Sequence, residues 1–124
     1  MKINWRLALV PALFTIGCGA SFPEPTQRLA DAQSAQRSAI EVGANNQPAA
    51  QLHLKLADEQ IAKAKTLIKD GDNRNADFML VRAKSDSELA LALAREQNAK
   101  AESQQAKEQS KATDTTNVIQ GAQK

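Results

Sequence analysis

Residues 54–73 read LKLADEQIAKAKTLIKDGDN and predict two helices folded back on each other. Their apolar side chains recur at spacings of three and four, the period of one buried helix face: Leu54, Ala57, Ile61, Ala64 and Ile68. Gly71 supplies the left-handed residue that ends a helix, and Asp72 or Asn73 supplies the N-cap of the next. Because the turn is so short, the two helices must form an antiparallel hairpin.

A further helix precedes this hairpin. The second helix begins at Pro48, since proline suits a first helical position. The first helix is predicted from Thr26, as N-cap, to about Val42, and Gly43 ends it. Its buried face is a weak stripe in which alanine is prominent: Leu29, Ala32, Gln36, Ala39 and Val42. We therefore expect three helices, with the first packed on the hairpin.

The third helix is predicted to be much longer than its partners, from about Arg74 to Ala112. Its inward face is expected to hold small and apolar residues: Ala76, Met79, Leu80, Ala83, Ser87, Ala90 and Ala94. Opposite charges four residues apart are expected to pair on its outer faces: Arg82–Asp86, Lys84–Glu88 and Glu96–Lys100. Between Gln97 and Ala112 the helix has no large apolar residue, so its last turns are expected to project beyond the other helices.

The first eighteen residues have the pattern of a bacterial export signal. Lys2 and Arg6 give a basic start, residues 7–16 form a short apolar run, and Gly17 precedes the single cysteine, Cys18. The run is too short to span a bilayer, which takes roughly 20 residues. This ending resembles the lipobox of bacterial lipoproteins, which implies cleavage before Cys18 and attachment of lipid to its sulfur.

The residue after the cysteine bears on which membrane holds the protein. By resemblance to enterobacterial lipoproteins, Gly19 implies that the protein is sorted to the outer membrane. The alternative is ordinary secretion, with cleavage before Ser21 and no lipid retained. A lone cysteine favours lipidation, because secreted chains seldom keep a free thiol, and it excludes a disulfide within the chain.

Composition excludes some classes of function. Without Lys2 and Arg6, fourteen basic residues face fourteen acidic ones, so the remaining chain is neutral. Beyond the signal segment 1–17, Phe22 and Phe78 are the only aromatic residues. A nucleic-acid-binding protein would show a basic stripe and, often, aromatic side chains for stacking, so no nucleic-acid partner is expected.

No catalytic, metal or cofactor site is predicted. His53 is the single histidine, and we interpret it as a residue at the surface or the edge of a helix. Asp70, Asp72 and Asp77 cluster near the turn, but a calcium loop needs a longer run of ligands, so capping is the preferred interpretation. No Ser/His/Asp or Cys/His set can be proposed, because Cys18 would be acylated and His53 stands alone, so the protein is predicted not to be an enzyme.

Lys124 suggests a second site. Small helical lipoproteins of the murein-lipoprotein type are joined to peptidoglycan through a terminal lysine, and this chain resembles them in the order of its parts. A candidate lipid site, a long helix, a polar tail and Lys124 follow one another. The resemblance implies a link between Lys124 and peptidoglycan.

Residues 47–94 resemble bacterial envelope lipoproteins that carry domain of unknown function 4398. The matching residues, with one just before this range, lie in and between the helices: Ala44, Pro48, Leu56-Ala57, Ile61-Ala62-Lys63-Ala64, Gly71-Asp72, Ala76, Arg82-Ala83-Lys84, Asp86 and Leu89-Ala90-Leu91-Ala92-Leu93-Ala94. This resemblance implies an α-helical domain that faces the periplasm. It brings no activity and no site residue.

The sequence thus predicts an all-α fold, a small antiparallel three-helix bundle or helical hairpin with a long third helix. The expected segments follow in order: signal peptide 1–17, lipidated tether 18–25, helical domain 26–97, polar helical extension 98–112 and disordered tail 113–124.

The expected function is that of a non-enzymatic outer-membrane lipoprotein presenting a periplasmic interaction module. Alternatives are a tether between the outer membrane and peptidoglycan, or a helical adaptor in an envelope complex. The membrane is the expected partner through the lipid. An envelope protein, peptidoglycan and a second copy of the chain are the others considered.

Overall fold

The computed structural model describes residues 21–121, and side chains as far as Thr115. It contains three α-helices, α1 (Thr26–Glu41), α2 (Pro48–Lys69) and α3 (Asn73–Gly121), with a short 3-10 turn at Ala44–Asn46. No strand is present in the described part of the chain. The predicted all-α fold with a long third helix is confirmed.

The helices pack as an up-down-up bundle. Helix α2 runs antiparallel to α3 along the predicted hairpin, and α1 lies against α3 and, less extensively, α2. One core cluster lies at the end that contains the α2–α3 turn, hereafter the turn end: Ala32, Ile61, Ala64, Ala76, Leu80 and Ala83. A second lies at the opposite end, the far end: Ala39, Ala44, Ala50, Leu54, Ala90 and Ala94.

These clusters confirm the predicted faces of the helices. The residues predicted to face inward from α2 and α3 are buried, apart from Ile68 and Met79, which pack partly buried against the turn-end cluster. Alanine fills most of the interior, and Leu80 and Ser87 are the largest side chains that are fully buried. Small side chains let helix backbones approach closely, but each buries little apolar area, so the bundle gains little stabilisation per residue. The buried Ser87 hydroxyl donates to the carbonyl of Ala83 at 2.8 Å, so it is not left unsatisfied.

The turn between α2 and α3 is a Schellman cap followed by an N-cap. Gly71 has φ +77°, and its N–H donates to the carbonyl of Ile68 at 3.0 Å. The N–H of Asp72 donates to the carbonyl of Leu67 at 2.9 Å, which completes the motif. The Asp72 carboxylate accepts from the backbone N–H of Asn75 at 3.3 Å, as an N-cap does. The predicted roles of Gly71 and Asp72 are confirmed.

The start of α1 differs from the prediction. Thr26 is its first helical residue and not its N-cap; Pro25 holds that position without a side-chain cap. The N–H of Thr26 donates to the carbonyl of Glu24 at 2.9 Å, and the N–H of Leu29 donates to Pro25 at 3.0 Å. The carbonyl of Pro25 therefore accepts from Leu29, a donor that the Thr26 hydroxyl would have satisfied as N-cap.

The end of α3 also differs from the prediction. The helix continues past Ala112 to Gly121, so a disordered tail is wrong for residues 113–121; residues 122–124 lie outside the described range. No glycine or proline interrupts the chain between Asn73 and Gly121. The hydroxyls of Thr113 and Thr115 donate to carbonyls four residues back, at 2.9 Å each, which is compatible with helix continuation. Residues 98–121 are called the extension below.

Candidate interaction surfaces

The extension continues the longest unbroken run of exposed side chains in the described part of the chain. Every side chain from Arg95 to Thr115 is exposed, whereas Ala94 just before them is completely buried. Helix α3 has 49 residues, which corresponds to a length of about 73 Å at 1.5 Å per residue. Its first half belongs to the bundle, and its second half offers a polar, alanine-containing surface to other molecules.

The base of the extension is fixed to the bundle by side-chain amides. Asn98 donates to the carbonyl of Val42 at 3.1 Å, and its own amide oxygen accepts from Gln47 at 3.2 Å. Beside this contact lies an open groove of about 560 Å³, with Leu93 and Ala101 among its lining residues. The junction therefore combines an apolar surface with amide groups, and it holds the extension in a defined direction at its start.

One ion pair lies at this junction. Lys100 Nζ is 2.6 Å from Glu96 Oε1, as predicted from their spacing. The hydrogen bond from Lys100, and then its positive charge, lower the pKa of Glu96. The other confirmed pair on α3, Lys84–Glu88, is longer, at 3.8 Å.

A second groove of about 700 Å³ lies between α1 and α2. Ile40 and Leu52 contribute apolar surface to it and are 43% and 57% exposed. Gln36 of α1 donates to Asp58 of α2 across this groove at 3.3 Å. The groove is wide and open, which suits a contact with an extended surface more than enclosure of a small molecule.

Between Asn73 and Thr115, helix α3 also exposes three large apolar residues on the side that faces away from the core. Phe78, Val81 and Leu89 are 54%, 42% and 44% exposed. They lie at spacings that place them on one helical face, opposite Leu80 and Ala83. This face is an exposed apolar surface of the bundle, separate from the two grooves.

At the turn end, the segment before α1 is bound to the start of α3. The side-chain amide of Asn73 donates to the backbone carbonyl of Phe22 at 2.9 Å, while the Phe22 side chain remains 44% exposed. Arg28 of α1 forms an ion pair with Asp77 of α3 one turn further on. These two contacts fix where the N-terminal segment leaves the bundle.

The structure also places the polar residues considered from sequence. His53 Nδ1 lies 3.0 Å from Asp86 Oδ1, and Gln60 donates to Asp86 Oδ2 at 2.8 Å. Asp86 therefore points toward α2, and the expected Arg82–Asp86 pair is not among the ion pairs of the described residues. Sequence reasoning missed this contact because its partners lie 33 and 26 residues apart, and only their positions on facing helix edges could have indicated it.

The aspartates near the turn have separate roles. Asp72 caps α3 and Asp77 binds Arg28, so they do not share a ligand. Within residues 21–115, no three histidine, cysteine or acidic side chains converge as metal ligands. The described helices include none that is long and apolar enough to cross a membrane. The two predicted attachment sites, Cys18 and Lys124, lie outside the described residues.

Comparison with known proteins gives one match. The family model Domain of unknown function (DUF4398) matches residues 27–106, which include α1, α2 and α3 as far as the first turns of the extension. No curated protein and no solved structure matches the chain. The resemblance of residues 47–94 to domain of unknown function 4398 is therefore confirmed, and the match covers more of the chain than those residues alone.

Proposed function

We propose the following role for this chain, which belongs to the family of the Domain of unknown function (DUF4398). It is a non-enzymatic lipoprotein, attached to the outer membrane through Cys18 and facing the periplasm. Its helical bundle holds one end of the extension, and the extension and its base form the surface that a partner in the cell envelope contacts. The mechanism is placement of a binding surface.

The membrane attachment is supported by the sequence before the described residues. A basic start, a ten-residue apolar run and Gly17-Cys18 follow one another as in a lipoprotein signal. Each buried methylene of an acyl chain contributes about 0.8 kcal/mol, so two or more chains hold a protein stably on a membrane. An anchor of this kind needs no membrane-spanning helix.

The contrast in side-chain burial along α3 is the main support for the proposed interaction role. Ala90 and Ala94 are completely buried, but the alanines of the next turns, Ala99, Ala101 and Ala106, are exposed. A long helix without an apolar stripe gains little stability from packing on its own protein. We interpret the extension as a surface whose role lies in contact with another molecule.

The intact mass of the protein from isolated outer membranes tests the anchor. We expect a mass that corresponds to residues 18–124 with three acyl chains, and loss of membrane association in a Cys18→Ala variant. A chain that begins at Ser21 and carries no lipid would contradict the proposal.

Digestion of the cell wall with muramidase tests the alternative role as a tether. That role uses the same architecture and is favoured by the length of α3, about 73 Å. A muropeptide on Lys124, with release of the protein only after digestion, would identify a tether in place of a presented binding surface.

A photo-crosslinking residue placed at Ser103 tests the use of the extension. Ser85 provides a matched control, because it is an exposed serine on the same helix and lies five turns earlier on the same face. We expect a discrete cross-linked product in cells from position 103 and none from position 85. Equal yields at both positions would contradict a specific role for the extension.

A further inference from the structure

We infer that the turn end of the bundle rests on the lipid surface and that Phe22 inserts into it, so that α3 points away from the membrane. This inference rests on the proposed lipid attachment at Cys18. It adds an orientation and a second, non-covalent membrane contact, and both follow from where the structure holds the segment before α1.

The chain between Cys18 and Phe22 is short. Cys18 and Phe22 are four residues apart, so their Cα atoms are at most about 14 Å from each other, even in a fully extended chain. The carbonyl of Phe22 is bound by the side chain of Asn73, the first residue of α3. Acyl chains on Cys18 therefore bring the turn end close to the membrane surface, and the far end cannot take its place.

The Phe22 side chain is only partly covered by the bundle. Although its backbone is held by Asn73, its ring does not join the core and stays 44% exposed. An aromatic ring next to an acyl chain can bury its apolar surface among the lipid headgroups and upper acyl chains, as the apolar residues of interfacial helices do. A lipid surface is therefore the occupant that fits this position.

The charges of the turn end indicate which kind of lipid contact to expect. Residues 69–74 contain two basic side chains, Lys69 and Arg74, and two acidic ones, Asp70 and Asp72. Their formal charges cancel, and Glu24, Arg28 and Asp77 at the same end add a net charge of −1, so this end has no net attraction for anionic headgroups. We expect the contact to depend on the Phe22 ring and to be present on zwitterionic vesicles.

The orientation has a geometric consequence for the extension. Asn98 lies 25 residues after Asn73 on a continuous helix, which corresponds to about 37 Å along the α3 axis. With the turn end at the membrane and α3 pointing away from it, the extension begins at about this height. Its surface is then beyond the reach of the lipid headgroups.

Single-tryptophan variants of the full lipidated chain test the inference. Phe22→Trp is compared with Leu89→Trp, because both positions are 44% exposed. Leu89 lies about 24 Å along the α3 axis from Asn73, the residue that binds the Phe22 carbonyl. Each variant then contains one tryptophan, because the single natural one, Trp5, lies in the signal peptide and is absent from residues 18–124. Replacement of Phe22 leaves its carbonyl, and so the bond from Asn73, in place.

The purified lipoproteins are placed in zwitterionic phosphatidylcholine vesicles with and without brominated acyl chains, which quench tryptophan on contact. We expect Trp emission at position 22 to shift to the blue and to lose most of its intensity, with no change at position 89. Addition of salt or anionic lipid should leave this difference unchanged.

Other results would overturn the inference in distinguishable ways. Quenching at both positions would mean that the bundle lies along the membrane on the outer face of α3. Quenching at neither position, in protein that sediments with the vesicles, would mean that the turn end is held away from the lipid. Failure to sediment with vesicles at all would remove the proposed anchor itself, and the mass measurement identifies that case.

Discussion

The two halves of α3 have similar alanine and charge content but opposite environments. In the first half, Ala76, Ala83 and Ala90 are completely buried against α1 and α2. In the second half, Ala99, Ala101 and Ala106 are exposed. The difference lies in the neighbours of the alanines, because Leu80, Met79 and Leu93 accompany them only in the first half. Alanine favours the helix in both halves, and the larger apolar residues determine which half is covered.

The largest effect is expected from removal of the main large side chain of the turn-end core. Leu80→Ala should lower the free energy of unfolding by about 3 kcal/mol, because it leaves a cavity in a core cluster whose other members are Ile61 and four alanines. Leu89→Ala, on the exposed face of the same helix, should cost less than about 1 kcal/mol. Urea unfolding followed by circular dichroism measures both, and similar losses would show that the two faces do not differ as described.

A smaller effect is expected when the same substitution is made in the two halves of α3. Ala90→Leu forces a larger side chain between α3 and its neighbours and should cost about 1–3 kcal/mol. Ala106→Leu places the same side chain on the exposed extension and should change stability by no more than about 0.5 kcal/mol. Leucine and alanine are both good helix formers, so the difference reports packing.

Thermal unfolding of both variants gives this comparison directly. A loss of stability in Ala106→Leu as large as that in Ala90→Leu would show that the extension is packed in solution. Self-association of Ala106→Leu would give a concentration-dependent transition, which separates that case from a direct effect on the monomer.

The smallest effect is expected from pH at the junction of the two halves. Because Lys100 lowers the pKa of Glu96 in the helix, the helical form binds fewer protons than the unfolded form as the solution becomes acidic. The contribution of the pair is therefore complete above the ordinary pKa of glutamate and is lost as the pH falls through the lowered value. The effect is small, since both side chains are more than half exposed.

Amide hydrogen exchange of residues 97–101 measures this effect. Protection, corrected for the intrinsic pH dependence of exchange, should fall in acid. Glu96→Gln and Lys100→Gln should each remove that fall. A loss of protection in acid that persists in both variants would show that groups elsewhere in the chain cause it.

The parts of the fold that the sequence predicted are those set by local spacing. The α2–α3 hairpin follows from the stripe that includes Leu54 and Ile61 and from the glycine requirement at position 71. The inward face of α3 follows from the same period. In each case the information lies within a few helical turns, where a repeat of 3.6 residues fixes which side chains share a face.

Contacts between distant residues could not be predicted in this way. Asp86 was expected to pair four residues away on its own helix, but His53 and Gln60 bind it from α2. The bond from Asn73 to Phe22 joins residues 51 positions apart. Both depend on how the helices are rotated against each other, which the spacing of apolar residues does not fix to the precision that a hydrogen bond needs.

The end of α3 was mispredicted for a different reason. Residues 113–121 lack an apolar stripe, and a polar segment was expected to lose its helix once packing stopped. In the structure, the helix persists because nothing in the chain breaks it before Gly121. The sequence gives a clear signal for where packing ends, near Gln97, and a weak one for where the helix ends.

The continuity of α3 has a mechanical consequence. If the membrane holds the turn end and a partner pulls on the extension, the load path runs along the helix axes from the Asn73–Phe22 contact to Gly121. The α1–α3 and α2–α3 seams are then loaded in shear, parallel to the helix axes. Many small contacts share the force at once, whereas peeling would break them one turn at a time. A core made of alanine, weak in its stability per residue, would in this geometry resist tension as a set of parallel bonds.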